Sequence, residues 1–326
     1  MKFSPDISTY IAGIKLSSCI YNASGCLCVT FQELDDLINS EAGAVLSKSC
    51  TMEPRRGNEE PRFFMNDKCS LNSMGIPNLG YEQYLKYHQQ KKAKKPFILS
   101  IFPFNINEME IMLKKIHESY EKTTGLVEIN LSCPNLVAGK GESSRMVAYD
   151  FERFEKYLCA LHSLAKICKN LRFGIKLPPY YEIKDFERAS GLIEKYHEET
   201  IYFVVCINSV VNGLVIDSNS MKPVIKPKNG LGGLGGSFCK PTALSNVRTF
   251  YNLLPKTINI IGCGGIETAS DVFEHLLCGA TAVQVGTHLV CKGPMIFEKL
   301  NQELREILKF KEFTCIQEVT GQLKEI

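Results

Sequence analysis

The feature that most constrains the fold of this 326-residue sequence is a regular alternation of short apolar runs with helical patterns. Parallel strands that are buried on both faces read as nearly continuous apolar runs, and helices connect them. We predict a strand at each of eight runs: 19–23, 44–48, 97–101, 126–131, 173–177, 202–208, 258–262 and 282–286. Eight β-α units close naturally into a (β/α)8 barrel, the TIM-barrel fold. An open doubly wound sheet usually carries G-x-G-x-x-G after its first strand, and that motif is absent there.

Two helical stripes support the alternation. After the fourth apolar run, Asp150 is placed to cap a helix whose apolar residues repeat at helical spacing: Phe154, Leu158, Leu161 and Ala165. A second stripe consists of Met109, Met112, Leu113, Ile116 and Tyr120. We interpret both stripes as core contacts.

Composition narrows the possible functions. A hydrophobic content of 44% and a charged content of 22% suit one large globular core, so we predict a single domain over residues 1–326. The net charge of +3 is too small to indicate a nucleic acid or an acidic membrane surface as a partner. No apolar run reaches the roughly 18 residues of a membrane span, and the N-terminus lacks a signal-peptide core. We therefore expect a cytoplasmic protein that does not bind membranes.

The 14 cysteines are scattered through apolar strands and helices of a large chain, which favours reduced thiols over a disulfide scaffold. The sequence contains Cys26-Leu27-Cys28 but no C-x-x-C pair. We therefore expect no zinc or iron-sulfur site in this chain.

The first candidate site is the run Asn130-Leu131-Ser132-Cys133-Pro134-Asn135, which closes the fourth predicted strand. In a parallel α/β barrel the chemistry occurs at the carboxyl ends of the strands. A thiol between two carboxamides at that rim is a candidate reactive group.

Two connections, 49–80 after strand two and 209–239 after strand six, are much longer than ordinary β-α loops, and long rim loops usually carry function. The first begins with Lys48-Ser49 and ends with Asn72-Ser73-Met74-Gly75-Ile76-Pro77-Asn78, which alone could be no more than a turn. The second contains Asn208-Ser209 and five glycines within 230–236, and a helix is expected to begin near Pro241. Glycines allow backbone N–H groups to approach a ligand closely.

Glycines also follow strands seven and eight, as Gly264-Gly265 and Gly286-Thr287. Loops at these two positions form the usual phosphate site of such barrels, because unpaired N–H groups and the helix dipole both favour an anion. We therefore predict a phosphate-bearing ligand.

Lys48 and Lys176 end two barrel strands, where their charges suit a ligand with delocalised negative charge. A reduced flavin is such a species. No His-Cys signature of a thiol protease is present, and a free thiol of pKa about 8.5 can act as a general base at mildly alkaline pH. The residues thus indicate proton abstraction coupled to hydride transfer.

Several motifs occur in order from about residue 15 to the C-terminus: Asn22-Ala23-Ser24-Gly25, Ser47-Lys48-Ser49-Cys50-Thr51, 72–78, 130–135, Lys176-Leu177-Pro178-Pro179, Ile225-Lys226-Pro227-Lys228, 240–244 and 273–280. Together they resemble the dihydroorotate dehydrogenase family, and specifically its class 1A branch of soluble, homodimeric enzymes that use fumarate as electron acceptor.

The resemblance implies FMN as cofactor and a ping-pong cycle in pyrimidine biosynthesis. Cys133 would remove a proton from C5 of dihydroorotate while a hydride leaves C6 for the flavin, giving orotate. Fumarate would then be reduced to succinate in the same pocket. The substrate would be held by Lys48, Asn72, Met74, Gly75, Ile76, Asn130, Asn135, Asn208 and Ser209. FMN would be held by Ser24, Lys48, Ser49, Asn130, Lys176, Ile207, Gly236, Gly264, Gly265, Gly286 and Thr287.

One departure from the family is a longer active-site lid after strand four, at 136–149. The extra length could slow closure, admit a bulkier acceptor, or supply a contact from Lys140 or Arg145.

Four alternatives remain open at this point. They are a class 1B subunit that passes electrons to NAD through an iron-sulfur and FAD partner, a dihydropyrimidine dehydrogenase-like enzyme, the membrane-bound quinone-using class, and a non-catalytic flavin-binding protein. The quinone-using class would have serine in place of Cys133 and an N-terminal extension.

Overall fold

A computed structural model describes residues 4–91, 95–120, 123–132 and 146–326. Its central feature is an eight-stranded parallel sheet whose strands are numbered here one to eight in chain order: Ile20–Asn22, Val45–Leu46, Phe97–Ile101, Gly125–Asn130, Leu171–Leu177, Ile201–Cys206, Asn259–Cys263 and Ala282–Val285. Each lies within or beside a predicted strand. Pairing runs from strand one to strand eight and then in descending order to strand two. This arrangement confirms the predicted (β/α)8 barrel.

The seam between strands one and two is joined by a side chain. Asn22 is fully buried, its Nδ2 donates to the carbonyl of Leu46 at 2.7 Å, and its Oδ1 accepts from the Leu46 N–H at 2.9 Å. A carboxamide has the donor and acceptor of a peptide group, so Asn22 replaces a ladder pair where the two strands meet.

Helices follow the strands, with bounds α1 Phe31–Ile38, α2 Tyr81–Lys91, α3 Ile106–Ser119, α4 Phe151–Ala165, α5 Ile183–Lys195, α6 Lys240–Leu253, α7 Ala269–Leu277, α8 Thr287–Lys292 and α9 Ile296–Phe310. Asp150 caps α4 by accepting from the Arg153 N–H. The apolar stripes of α3 and α4 face the core as predicted, although Ala165 at the end of α4 is only partly buried.

The two long connections form one structure above the barrel. Strands Phe63–Met65 and Ser70–Asn72 from the first connection and Val210–Gly213 and Gly232–Gly235 from the second make a four-stranded antiparallel sheet. Ser70–Asn72 pairs with Gly233, Leu234 and Gly235 and so joins the two connections. This sheet lies over the carboxyl ends of the barrel strands and walls one side of the site.

Two small hairpins complete the strands, Thr9–Ile11 with Ile14–Leu16 and Ile216–Asp217 with Lys222–Pro223. Within the described ranges, no helix is long and apolar enough to span a bilayer. The cysteines of this part of the chain are free thiols, and the same residues contain no cluster of three or more potential metal-binding side chains.

Candidate active site

A cleft at the carboxyl ends of the barrel strands has an open volume of about 1170 Å³, part of which is continuous with solvent. It collects the predicted binding residues that the structure describes: Ser24, Lys48, Ser49, Asn72, Met74, Gly75, Ile76, Asn130, Lys176, Ile207, Asn208, Ser209, Gly236, Gly264, Gly265, Gly286 and Thr287. Cys133 and Asn135 lie outside the described residues, as does most of the lengthened lid.

Both predicted lysines are buried in the wall of this cleft. Lys48 Nζ donates to the Gly25 carbonyl at 2.8 Å and approaches the Ser24 carbonyl at 3.4 Å. Lys176 Nζ lies 3.0 Å from Gln284 Oε1 and 3.9 Å from Cys263 Sγ. Ammonium groups fixed in this way present positive charge to the cleft at two separate places.

Burial lowers the pKa of Lys176, but negative charge from Cys263 and Glu128 outweighs burial and raises it above the ordinary value. Burial also raises the pKa of the Cys263 thiol. The Lys176 ammonium therefore has one acidic neighbour in the cleft wall, Cys263, and a second one, Glu128, buried behind the cleft.

Carboxamides at the ends of strands four and six hold one another in place. Asn130 Nδ2 donates to Ser49 Oγ at 3.1 Å, and Asn130 Oδ1 accepts from Ser132 N and Oγ, each at 3.1 Å. Asn208 Nδ2 donates to the Ser132 carbonyl at 3.1 Å. The network therefore fixes Ser132, the residue that immediately precedes Cys133.

The segment 74–76 gives the cleft a backbone wall. Gly75 has φ 70° and Ile76 has φ 56°, and a β-branched residue rarely adopts a positive φ. The Asn58 side chain donates to the Ser73 carbonyl at 2.8 Å and lies where a side chain on Gly75 would be. A conformation this unfavourable persists only where its surroundings enforce it, which is common at ligand sites.

Glycines form the opposite end of the cleft. A Cβ on Gly265, at φ 72°, would lie 2.3 Å from Lys240 Cβ, and a Cβ on Gly264 would lie 2.8 Å from Ala243 Cβ. Lys240 is itself held by ion pairs to Asp271 at 2.7 Å and Glu274 at 2.9 Å.

His275 orients the same loop from below. Its Nε2 lies 3.1 Å from the Gly264 carbonyl, and burial lowers the pKa of His275 to about 4, so the neutral ring donates this hydrogen bond. In a trans peptide the C=O and the following N–H point in opposite directions. A Gly264 carbonyl directed at His275 therefore turns the Gly265 N–H away from that ring, and the Gly265 backbone meets the thiol of Cys239, which also lines the cleft.

The glycine run 230–236 has a mixed role. Of its five glycines, Gly235 and Gly236 line the cleft, whereas a Cβ on Gly232 would strike the Asn72 carbonyl at 2.6 Å and one on Gly233 would strike Ser209 Oγ at 2.2 Å. The absence of side chains thus lets the two connections pack closely, in addition to opening the site.

Several cleft residues were not predicted, among them Cys26, Ser70, Cys263 and Gln284. The sequence does mark Gln284 as unusual, because it is a polar residue inside the otherwise apolar run 282–285. Glu128, the one polar position in the run 126–129, is marked in the same way, and it lies fully buried beneath the cleft.

Comparisons with known proteins agree with this geometry. The family described as "Dihydroorotate dehydrogenase" matches residues 6–308. The "Probable dihydroorotate dehydrogenase A (fumarate)" of Enterococcus faecalis is 47% identical over 324 residues, covering 98% of this chain and 100% of the relative. The "Dihydroorotate dehydrogenase A (fumarate)" of Lactococcus lactis subsp. lactis is 44% identical over the same shares. The "Dihydroorotate dehydrogenase (fumarate)" of Lachancea kluyveri is 45% identical, covering 94% of each chain.

Among solved structures, DHODH of Eimeria tenella in complex with ferulenol superposes with a TM-score of 0.78 at 18% identity, covering 98% of this chain and 89% of that one. At that identity the likeness supports the fold alone.

Proposed function

Since the chain belongs to the dihydroorotate dehydrogenase family, we propose that it oxidises (S)-dihydroorotate to orotate with FMN as cofactor and fumarate as electron acceptor. The observation that best supports this proposal is that one cleft is lined by two buried lysines, by the carboxamides at the ends of strands four and six, and by a glycine loop. Orotate formation would place the reaction in de novo pyrimidine (UMP) synthesis.

The residues present fit FMN. Gly264 and Gly265 pack so closely against α6 that neither has room for a side chain, and both line the cleft with Gly286 and Thr287, where a phosphate group would bind. Ser24, Lys48, Ser49, Asn130 and Lys176 also line the cleft and would hold the ring system together with Ile207 and Gly236. When bound, FMN would supply the two-electron redox chemistry that side chains lack.

Dihydroorotate carries a carboxylate and an imide edge. The Lys48 ammonium has three donors, two of which are directed at the carbonyls of residues 24 and 25, and the third suits the substrate carboxylate. Asn72, Asn130, Asn135, Asn208 and Ser209 offer paired donors and acceptors for the imide. The backbone of Met74, Gly75 and Ile76 would close the pocket on the remaining side.

We assign the general base to Cys133. It follows Ser132, whose position is fixed by hydrogen bonds to Asn130 and Asn208. A thiolate there would take the proton from C5 of the substrate, and Lys176 would offset negative charge that develops across the cleft.

The fumarate-dependent reaction is favoured over the class 1B alternative because the relatives from Enterococcus, Lactococcus and Lachancea all carry "fumarate" in their names. A homodimer, a cytoplasmic location and a single domain over 1–326 complete the proposal. They rest on the family resemblance and on composition.

The test has two parts. Cofactor released from the purified protein by heat should be FMN by mass, with no FAD. Orotate formation should then be followed with fumarate, NAD or a soluble quinone as the sole acceptor, and turnover with fumarate alone is expected. Turnover with NAD or quinone but not fumarate would reject the acceptor assignment, and oxidation of dihydrouracil but not dihydroorotate would reject the substrate.

A further inference from the structure

A line of buried polar side chains runs from the cleft into the barrel interior. Lys176 Nζ lies 3.0 Å from Gln284 Oε1, and Gln284 Nε2 donates to Glu128 Oε2 at 2.6 Å. The three residues come from strands five, eight and four and are 5%, 1% and 0% exposed. Lys176 and Gln284 line the cleft, whereas Glu128 lies behind them.

Both neighbours enforce the same orientation of the Gln284 amide. An ammonium can only donate, so the amide oxygen faces Lys176, and a carboxylate can only accept, so the amide NH₂ faces Glu128. The second N–H of the same NH₂ group reaches Tyr21 Oη at 3.2 Å. Gln284 thus makes a fixed polar connection between a cation at the cleft and an anion behind it.

A second connection reaches Glu128 from the other side of the cleft. Ser24 Oγ and Ser49 Oγ are 3.0 Å apart, Ser49 Oγ and Ser100 Oγ are 2.9 Å apart, and Ser100 Oγ donates to Glu128 Oε1 at 3.3 Å. Three hydroxyl groups therefore point in sequence toward one carboxylate. Both carboxylate oxygens have donors, as a buried charge requires.

The groups that act on Lys176 come from several elements: Glu128 on strand four, Cys263 on strand seven and Cys28 after strand one. Tyr21 on strand one faces Glu128. Burial raises the pKa of both thiols and of the phenol, which favours their neutral forms.

We propose that Glu128 is a positioning residue that acts through the Gln284 amide to hold the Lys176 ammonium in place and directed at the cofactor. The inference rests on the proposed function, since it places FMN beside Lys176. Reduction adds negative charge to the cofactor, and a cation held without reorganisation favours the reduced form. The Gln284 amide lines the cleft and the Glu128 carboxyl group does not, so Glu128 acts from behind.

The test uses Glu128→Gln, which keeps the shape and removes the charge. The first readout is the affinity of the apoprotein for oxidised and for chemically reduced FMN, which needs no dihydroorotate. The variant should lose about tenfold more affinity for reduced than for oxidised FMN, which corresponds to about one pKa unit of differential interaction. The second readout is the pH above which the protein no longer binds reduced FMN more tightly than oxidised FMN, because Lys176 has lost its proton. In the variant this pH should be lower by about one unit or more.

Two further variants test whether the effect of Glu128 on FMN binding passes through Gln284 and Lys176. In a Lys176→Met background, Glu128→Gln should have no additional effect on either readout, because its influence passes through the lysine. Gln284→Met should reproduce the direction of Glu128→Gln and serves if that variant does not fold.

Asn301→Ala is the stability control. It removes hydrogen bonds to Ser18 and to the Glu41 carbonyl, none of these three residues lines the cleft, and it should leave both readouts unchanged. Wild-type readouts in folded Glu128→Gln, or an equal effect with and without Lys176, would overturn the proposal. If the wild-type apoprotein does not bind FMN, the proposed function fails as well, and that result precedes any variant.

Discussion

Substituting Gly265 by alanine tests the proposed phosphate end of the cleft. The new Cβ would lie 2.3 Å from Lys240 Cβ and 2.7 Å from Lys240 Cα, where ordinary contact begins at 3.4 Å. The loop or the start of α6 must therefore move by about 1 Å, because Lys240 Cα is backbone and cannot swing aside. The positive φ adds a cost of its own, about 1 to 2 kcal/mol for a residue with a side chain.

We expect Gly265→Ala to lower the free energy of unfolding by about 2 to 5 kcal/mol, from the combined φ and overpacking costs. A shift of about 1 Å also spoils the geometry of an N–H bond to phosphate. A hydrogen bond to a charged group contributes about 1.5 to 3 kcal/mol. The affinity of the apoprotein for FMN should therefore fall about 10- to 100-fold, as measured by fluorescence titration.

Two other glycines separate the contributions. Gly293 has φ 67°, and a Cβ added to it would meet no atom within 4 Å, so Gly293→Ala carries only the φ cost and should not change FMN affinity. Gly191 lies within α5 with open space around it, and Gly191→Ala should stabilise the fold by about 0.5 to 1 kcal/mol. If folded Gly265→Ala binds FMN as tightly as Gly293→Ala does, the assignment of this loop to the phosphate is refuted.

Three further predictions address separate groups. His275 has a pKa of about 4 in the folded protein against 6.5 in the unfolded chain, so its contribution to the free energy of unfolding is fully present above pH 6.5 and about 3 kcal/mol of it is lost as the pH falls to 4. Urea unfolding at a series of pH values should show this loss of stability in the wild type and not in His275→Leu. The same loss in His275→Leu would contradict the prediction. Cys133→Ser should retain FMN while dihydroorotate reduces it about 10² to 10⁴ times more slowly in stopped-flow traces, and an unchanged rate would remove Cys133 from the base role. Lys48→Met should weaken dihydroorotate binding about 10- to 100-fold through loss of a charge-assisted hydrogen bond, whereas the exposed Lys86→Met should not; equal behaviour of the two would exclude Lys48 from the substrate site.

The barrel could be predicted from sequence because parallel strands buried on both faces leave uninterrupted apolar runs. Strand ends were less predictable. Strand two was expected over 44–48 but spans only Val45–Leu46, because Ser47 Oγ accepts the Ser100 N–H at 3.0 Å and so replaces part of the regular ladder with a side-chain bond.

The four-stranded sheet over the cleft could not be predicted. Its central pairing joins Ser70–Asn72 to Gly232–Gly235, about 160 residues apart in sequence, and glycines provide no alternating side-chain pattern. Sequence reasoning identified residues that line the cleft by their motifs, but it did not assign a role to Glu128. A single charged residue in an apolar strand indicates that its side chain is buried and needs hydrogen-bond partners. The sequence does not show which residues those partners are.

The measurement that tests the central claim most directly is an anaerobic visible spectrum of the purified protein during sequential addition of dihydroorotate and fumarate. We predict a yellow protein whose flavin absorbance bleaches with dihydroorotate and recovers with fumarate. A protein that binds flavin but does not bleach with dihydroorotate would contradict the proposed activity.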